Sequence, residues 1–302
     1  KGKEYSGPTL IATGEIGKKP AIYIYSWSEN AQSFSPVTSM RGYHRAGVCQ
    51  MAFSKDGSSI FTVSVDYSIA VYCTQLTYPG KVGKMICSSQ GPKDRIFDCC
   101  SLTAAPGDFV SCGEKHISYW ASKNSAIVQE QVKLGKFKRD FVMCATAVAG
   151  AKQCVAGTSE GNLVYVQSGC LMKDLCIDNL HKKAINSLHS VNDGKIIITG
   201  GADGKVCCLR INGLNPADIQ IHILKAFNVY ASGISEKQIH PIRSVCMSTD
   251  CTKLLVGTQA SEIVEVTAPH FEPLVSTDGT ESQNLIGKIK QKDMKARVSP
   301  ID

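Results

Sequence analysis

The segment "IIITGGADGKVCCLR", Ile196 to Arg210, breaks a β-branched run at two glycines, turns through Asp203 and Gly204, and resumes as a second apolar run. That is strand, tight turn, strand. The element recurs. "SSIFTVSVDYSIAVYC" has Asp66 in its turn, "GDFVSCGEKHISYW" uses a shorter knot, "KQCVAGTSEGNLVYV" turns at Glu160 and Gly161, and "TKLLVGTQASEIVEV" closes the series. "TLIATGEIGKKPAIYIYSW" opens it with a longer turn. A chain that repeats a hairpin at near-constant spacing is constrained to a repeat architecture before any other feature is weighed.

A further short strand precedes each of the five later hairpins: "GVCQMAFSKDG", "RIFDCCSL", "FVMCATAV", "AINSLHSVNDG" and "PIRSVCMSTD". More exposed strands follow most of them, such as "GKMICSS" and "SAIVQEQVKLG". Each unit therefore reads as three inner strands and one outer strand. Gly113, Gly157, Gly200 and Gly257 recur at roughly 43 to 57 residues, the spacing of four-stranded blades. A blade stacked on both sides is apolar on both faces, which explains near-continuous Val, Ile, Ala, Cys and Gly rather than strict alternation. Small residues let such blades approach closely.

The expected fold is all-β, a β-propeller of about six to seven four-stranded blades, incomplete or closed by a terminal strand. Six units are countable, and the first begins at a second strand. "NLIGKIKQ", Asn284 to Gln291, is the late segment that could supply a strand to it. The propeller is expected over residues 1–275, with 276–302 a basic tail carrying Lys288, Lys290, Lys292, Lys295 and Arg297. The sequence does not begin with Met, and we expect it to be part of a longer chain.

The 14 cysteines contain no C-x-x-C pair, so neither a zinc site nor a disulfide framework is expected. Cys73, Cys112, Cys144, Cys154, Cys207 and Cys246 fall inside apolar runs, where thiols act as small buried hydrophobes in a reducing compartment. The adjacent pairs Cys99–Cys100 and Cys207–Cys208 should point to opposite faces of their strands. No H-e-x-x-H metal motif, G-x-S-x-G elbow or phosphate loop occurs. "GGADGK" lacks the P-loop spacing and runs into a strand. No catalytic set, cofactor or metal is expected. The N-terminus has no signal-peptide core and no apolar stretch is long enough to span a bilayer, so no membrane is expected as partner. The formal charge of +7 suits an acidic partner.

"ITGGADGKVCCLR" resembles a WD-type repeat. The resemblance implies a buried network in each blade: a His before the inner strand, a hydroxyl on the second strand, the turn Asp and a Trp on the third strand. The matching residues are His181, Thr199 and Asp203, with Leu209 at the Trp position. In the second unit they are His44, Thr62 and Asp66, with Tyr72 at the Trp position. Trp120 is kept in the third unit, which lacks a turn Asp.

The ordered phrases "IATGEIGKKPAIYIYS", "RAGVCQMAFSKDG", "VSCGEKHISYW", "GTSEGNLVYV" and "HPIRSVCMSTDCTKLLVGTQASEIVEV" resemble the first propeller of the echinoderm microtubule-associated protein-like family. That resemblance spans about Thr9 to Val275 and implies a non-catalytic scaffold. It further implies tubulin and microtubules as partners, other proteins held through propeller faces, a cytoplasmic and cytoskeletal location such as axoneme or spindle, and a second propeller beyond the tail. "KLGKFKRD" places Lys133, Lys136, Lys138 and Arg139 around Phe137, between an outer strand and the next inner strand. Such a loop should emerge on a propeller face as a basic partner surface. A single Phe among lysines is weak ground for nucleic acid, which is not expected as a partner. The alternative is a general WD-type adaptor for protein complexes that binds no tubulin.

Overall fold

The repeated hairpins become six antiparallel meanders. The structure, a computed structural model, describes residues 9–74, 82–105, 107–123, 126–150, 152–213, 218–229, 239–248 and 250–267, and the backbone of 283–288. Two compact units divide the chain: residues 1–142 with 167–171, and residues 143–166 with 172–302. Beyond strands, the described residues hold only two short 3-10 turns.

The first unit opens with a three-stranded sheet, β1 (Leu10–Gly14), β2 (Ile22–Ser28) and β3 (Ser33–Met40), in that order. A four-stranded meander follows: β4 (Val48–Phe53), β5 (Ser59–Ser64), β6 (Ser68–Cys73) and β7 (Met85–Gln90). The next is β8 (Ile96–Ser101), β9 (Phe109–Gly113), β10 (His116–Lys123) and β11 (Ala126–Gln131). The outer strands β7 and β11 of these two meanders meet at one parallel bridge, Ala126 with Ser88.

The fourth meander is built on β12 (Val142–Ala147), β13 (Gln153–Thr158) and β14 (Leu163–Gln167), after which the two-residue β15 (Cys170–Leu171) is counted with the first unit. The fifth is β16 (Ile185–Val191), β17 (Ile196–Gly201), β18 (Lys205–Asn212) and β19 (Gln220–Asn228). The sixth is β20 (Ile242–Met247), β21 (Lys253–Thr258), β22 (Glu262–Thr267) and β23 (Gln283–Lys288). The late segment considered as a strand for the first sheet is thus the outer strand of the sixth, antiparallel to β22. Residues 289–302, with Lys290, Lys292, Lys295 and Arg297, lie outside the described residues.

Middle strands are buried on both faces. Along β18, Cys207, Leu209 and Ile211 pack with Val155, Leu163 and Tyr165. Val206 and Cys208 pack on the other side with Val245, Val256 and Val264. The adjacent cysteines therefore serve two different cores, as strand alternation requires. In the first unit, Ile60, Ala70 and Tyr72 join Ile22 and Ile24, while Phe61, Val63, Ile69 and Val71 join Phe109 and Trp120. Phe61 stacks on Phe109 with ring centroids 4.6 Å apart. Cys112, Cys144 and Cys154 are likewise buried, whereas Cys73 is half-buried and Cys246 is exposed.

Neighbouring meanders touch where a side chain is missing. A Cβ on Gly14 would lie 2.8 Å from Val48 Cβ, one on Gly157 2.6 Å from Ile185 Cβ, and one on Gly200 2.6 Å from Ile242 Cγ2. Val48, Ile185 and Ile242 each begin the next inner strand. Glycine stands there because the facing strand fills the space of a methyl group.

Two bulges recur in the meanders. In four inner strands one extra residue follows the first pair: Cys49, Phe97, Asn186 and Arg243. In the outer strands the extra residue is apolar: Val37, Ile86 and Leu224. All three pack against a core cluster. A bulge re-aims one side chain and strengthens local twist. The outer bulge thereby adds an apolar residue to the core from a strand that is otherwise largely exposed, Met40 and Cys87 being its other buried members on β3 and β7.

Candidate functional site

In the second meander, His44 is buried just before β4. Its Nε2 lies 2.8 Å from Thr62 Oγ1 on β5 and its Nδ1 lies 2.6 Å from Ser68 Oγ at the start of β6. Ser68 Oγ donates onward to Asp66 Oδ1. Asp66 also accepts from the backbone N–H of Arg45 at 2.9 Å and of Ser68 at 3.0 Å. These hydrogen bonds outweigh burial and hold its carboxyl down at about 2.

The fifth meander repeats the arrangement without the intervening hydroxyl. His181 Nε2 lies 2.7 Å from Thr199 Oγ1 and Nδ1 lies 3.0 Å from Asp203 Oδ1. Lys182 N and Lys205 N donate to the two Asp203 oxygens at 2.9 and 3.2 Å. A carboxylate only accepts, so the His181 proton sits on Nδ1 and Nε2 is an acceptor beside the Thr199 hydroxyl, which also has Cys207 O as an acceptor at 3.4 Å. Burial lowers the pKa of both His44 and His181, against the raising pull of their aspartates. Both are neutral struts that tie the approach to an inner strand to the hairpin beside it.

The third meander is built differently. Trp120 Nε1 donates to Ser111 Oγ on β9 at 2.8 Å, and Trp120 is buried. Its turn carries Glu114 and Lys115 instead of an Asp, and the buried His116 places Nδ1 3.2 Å from Glu114 O. At the Trp position of the other two networks, Tyr72 packs in the first-unit core and Leu209 in the second. The sequence reading did not include Ser68 or Ser111. A Ser two residues after a turn Asp, and a Ser on the strand facing a Trp, are the signals that could have found them.

The basic loop is pinned from below. Residues Gly135–Phe137 form a 3-10 turn, with Gly135 at φ 57°. Val132, Leu134 and Phe137 are buried, whereas Lys133, Lys136, Lys138 and Arg139 are exposed. Phe137 is therefore an anchor rather than a stacking platform, and Lys136 Nζ lies 4.9 Å from its ring centroid. Just beyond, Phe141 is 41% exposed and meets Phe97 edge-on, with centroids 6.2 Å apart. The Arg95 guanidinium carbon lies 5.8 Å from the Phe97 centroid. Cations and a solvent-reaching aromatic pair thus share one region of the first unit.

Among the described residues, no cluster of three or more His, Cys, Asp or Glu side chains could hold a metal ion. No helix there is long and apolar enough to cross a membrane.

The WD domain, G-beta repeat, matches residues 34–73 and 174–208. These two stretches contain the His44–Thr62–Asp66 and His181–Thr199–Asp203 sets. The chain is 26% identical to the 77 kDa echinoderm microtubule-associated protein of Lytechinus variegatus, over 65% of this chain and 30% of that protein. It is 23% identical to the human echinoderm microtubule-associated protein-like 1, over 87% of this chain and 32% of that protein. The chain thus spans about a third of the length of these curated relatives. Among solved structures it is similar to the β-propeller domain of Cps50 (Swd1) from Myceliophteria thermophila, with a TM-score of 0.67 at 13% identity, covering 85% of this chain and 79% of that one. It is also similar to Sqt1 from Chaetomium thermophilum, with a TM-score of 0.61 at 13% identity, covering 87% and 67%.

Proposed function

We propose that this chain, an EMAP-like WD-repeat β-propeller, is a non-catalytic docking module that attaches to microtubules through the exposed cations of residues 133–139. The observation that carries the reading is the pinned loop. Three buried apolar residues hold its backbone, so Lys133, Lys136, Lys138 and Arg139 are presented to solvent by a rigid base. A preorganised cationic surface loses little freedom on meeting an acidic polymer. The named relatives are microtubule-associated proteins, which supports an acidic tubulin surface as that polymer and the cytoskeleton as the location.

Co-sedimentation with microtubules across a salt series tests this. The protein should pellet at low salt and progressively leave the pellet as the Debye length shrinks from about 10 Å at 0.1 M toward about 3 Å at 1 M. A variant with all four cations changed to Glu should stay in the supernatant while keeping its melting temperature. Salt-independent pelleting, or equal pelleting of the variant, would remove the loop from the mechanism. No pelleting of the parent at any salt would favour the protein-complex adaptor instead.

A further inference from the structure

Beside the His181–Asp203 network, the second unit carries an open cleft of about 450 Å³, within the roughly 300–1,000 Å³ range of ligand pockets. Lys182 and Lys205 line it, together with Asn179 and Asn228. Its apolar wall is Phe227, half-buried against the core, and Ile239, 44% exposed. Ile239 can lie there because Gly204 has no Cβ to strike its Cγ2. The turn glycine that closes the hairpin thus also opens the wall of the cleft.

The charges in this cleft do not balance. Asp203 is the one acid among the described residues that line it, and its carboxylate is turned inward: the side chain is 10% exposed and accepts from His181 Nδ1, Lys182 N and Lys205 N. Lys205 Nζ is fixed at the wall by Leu180 O at 3.3 Å. An ammonium has three donors, so this contact leaves donor capacity for an acceptor in the cleft. Lys182 is exposed. Two lysines therefore line a space in which the carboxylate among the described lining residues is already engaged.

We infer that this cleft seats an acidic peptide segment, with a carboxylate between Lys182 and Lys205 and an adjoining apolar side chain on Ile239 and Phe227. The inference deepens the docking reading above, on which it rests for the acidic character of the partner. The apolar wall ends in an aliphatic residue rather than a flat exposed ring, which suits a peptide better than a stacked base.

Fluorescence anisotropy on the whole chain tests it, with a labelled poly-glutamate peptide carrying one leucine as the probe. The parent should bind, and a glutamine-for-glutamate version of the peptide should not. Lys182→Glu should weaken binding about tenfold, and Ile239→Ser should weaken it several-fold. Lys195→Glu makes the same charge change at the other end of β17 and should leave binding as in the parent. Equal binding by the parent, K182E and I239S would overturn the inference, as would no binding of the probe. Displacement of the probe by oligouridylate at equal concentration would overturn it in favour of nucleic acid. Peptide binding that depends on the cleft, found in a protein that does not pellet with microtubules, would keep the cleft and remove only the microtubule reading.

Discussion

Ser68 Oγ lies 2.6 Å from His44 Nδ1 and donates its own hydrogen bond to Asp66, so the histidine and the turn aspartate of the second meander are joined through a hydroxyl. In the fifth meander His181 reaches Asp203 directly. With its hydroxyl hydrogen directed at Asp66, Ser68 can only accept from His44, which fixes the His44 proton on Nδ1 and leaves Nε2 an acceptor beside the Thr62 hydroxyl, which also has Ala70 O as an acceptor at 3.1 Å. Ser68→Ala should therefore strand a buried N–H and cost about 1–3 kcal/mol. Chemical denaturation measures it, and a loss no larger than that of an exposed Ser→Ala would remove the relay.

Three buried histidines, His44, His116 and His181, and the half-buried His189 make the fold sensitive to mild acid. Burial lowers the pKa of His44, His116, His181 and His189 below the ordinary value of 6.5. The unfolded chain takes up protons that the folded chain refuses, so stability is full above pH 6.5 and falls as pH drops below it. A second loss sets in below 3.8, where Asp66, held at about 2 in the fold, would be protonated in the unfolded chain. Both slopes have the same sign. Melting temperatures between neutral and acidic pH at constant ionic strength should decline in two stages, and a flat profile from pH 7.5 to 5 would contradict the histidine stage.

Glycine at the contact between meanders is a packing requirement. Gly200→Ala would place a methyl 2.6 Å from Ile242 Cγ2 and 2.8 Å from Val245 Cγ1. Overpacking of this kind costs about 1–3 kcal/mol. Pairing Gly200→Ala with Ile242→Ala should cost less than the sum of the two single changes, because the truncation removes the Cγ2 that the new methyl would strike. Urea midpoints of the single and double variants decide it, and simple additivity would place the strain elsewhere.

The anchor under the basic loop can be separated from its charges. Phe137 is 3% exposed, so Phe137→Ala should cost about 3–5 kcal/mol if the site does not collapse. Every cation of the loop remains in this variant. If a rigid base matters to docking, microtubule pelleting at low salt should weaken at a temperature where the variant is still folded. Unchanged pelleting would mean that charge alone suffices.

Trp120 is tied by one hydrogen bond in addition to its packing. Trp120→Phe removes the donor to Ser111 Oγ and leaves a gap beside Phe61 and Phe109. We expect a loss of about 2 kcal/mol or more, from hydrogen bond and cavity together. Near-UV circular dichroism and a denaturation midpoint would check both the packing and the loss.

The hairpins were legible in the sequence because their signals are local: β-branched runs, and Asp, Gly or Glu at the turns. His181, Thr199 and Asp203 could be picked out for the same reason, and the structure puts them within hydrogen-bond distance of one another. What could not be read depends on neighbours far away in the chain. Phe137 sits among lysines in a loop and reads as exposed, yet three apolar residues turn together beneath the surface. The bulges at Cys49, Phe97, Asn186 and Arg243 come from pairing register, which leaves no mark in composition. The segment Asn284–Gln291 could be picked out as a candidate strand, but its partner could not: the sequence offers it to the first sheet, and Gln283–Lys288 pairs instead with β22.

The inner-strand bulge separates what a blade is from what it displays. A residue without a ladder partner can change without shifting the alternation of its neighbours, so the core never registers the substitution. Four strands of one design carry a thiol, a phenyl ring, a carboxamide and a guanidinium there. The amide of Asn186 bonds Ile242 O at 2.7 Å, whereas the ring of Phe97 meets Arg95 and Phe141. Repetition can thus copy a scaffold many times while one position in each copy remains free to acquire its own vocabulary.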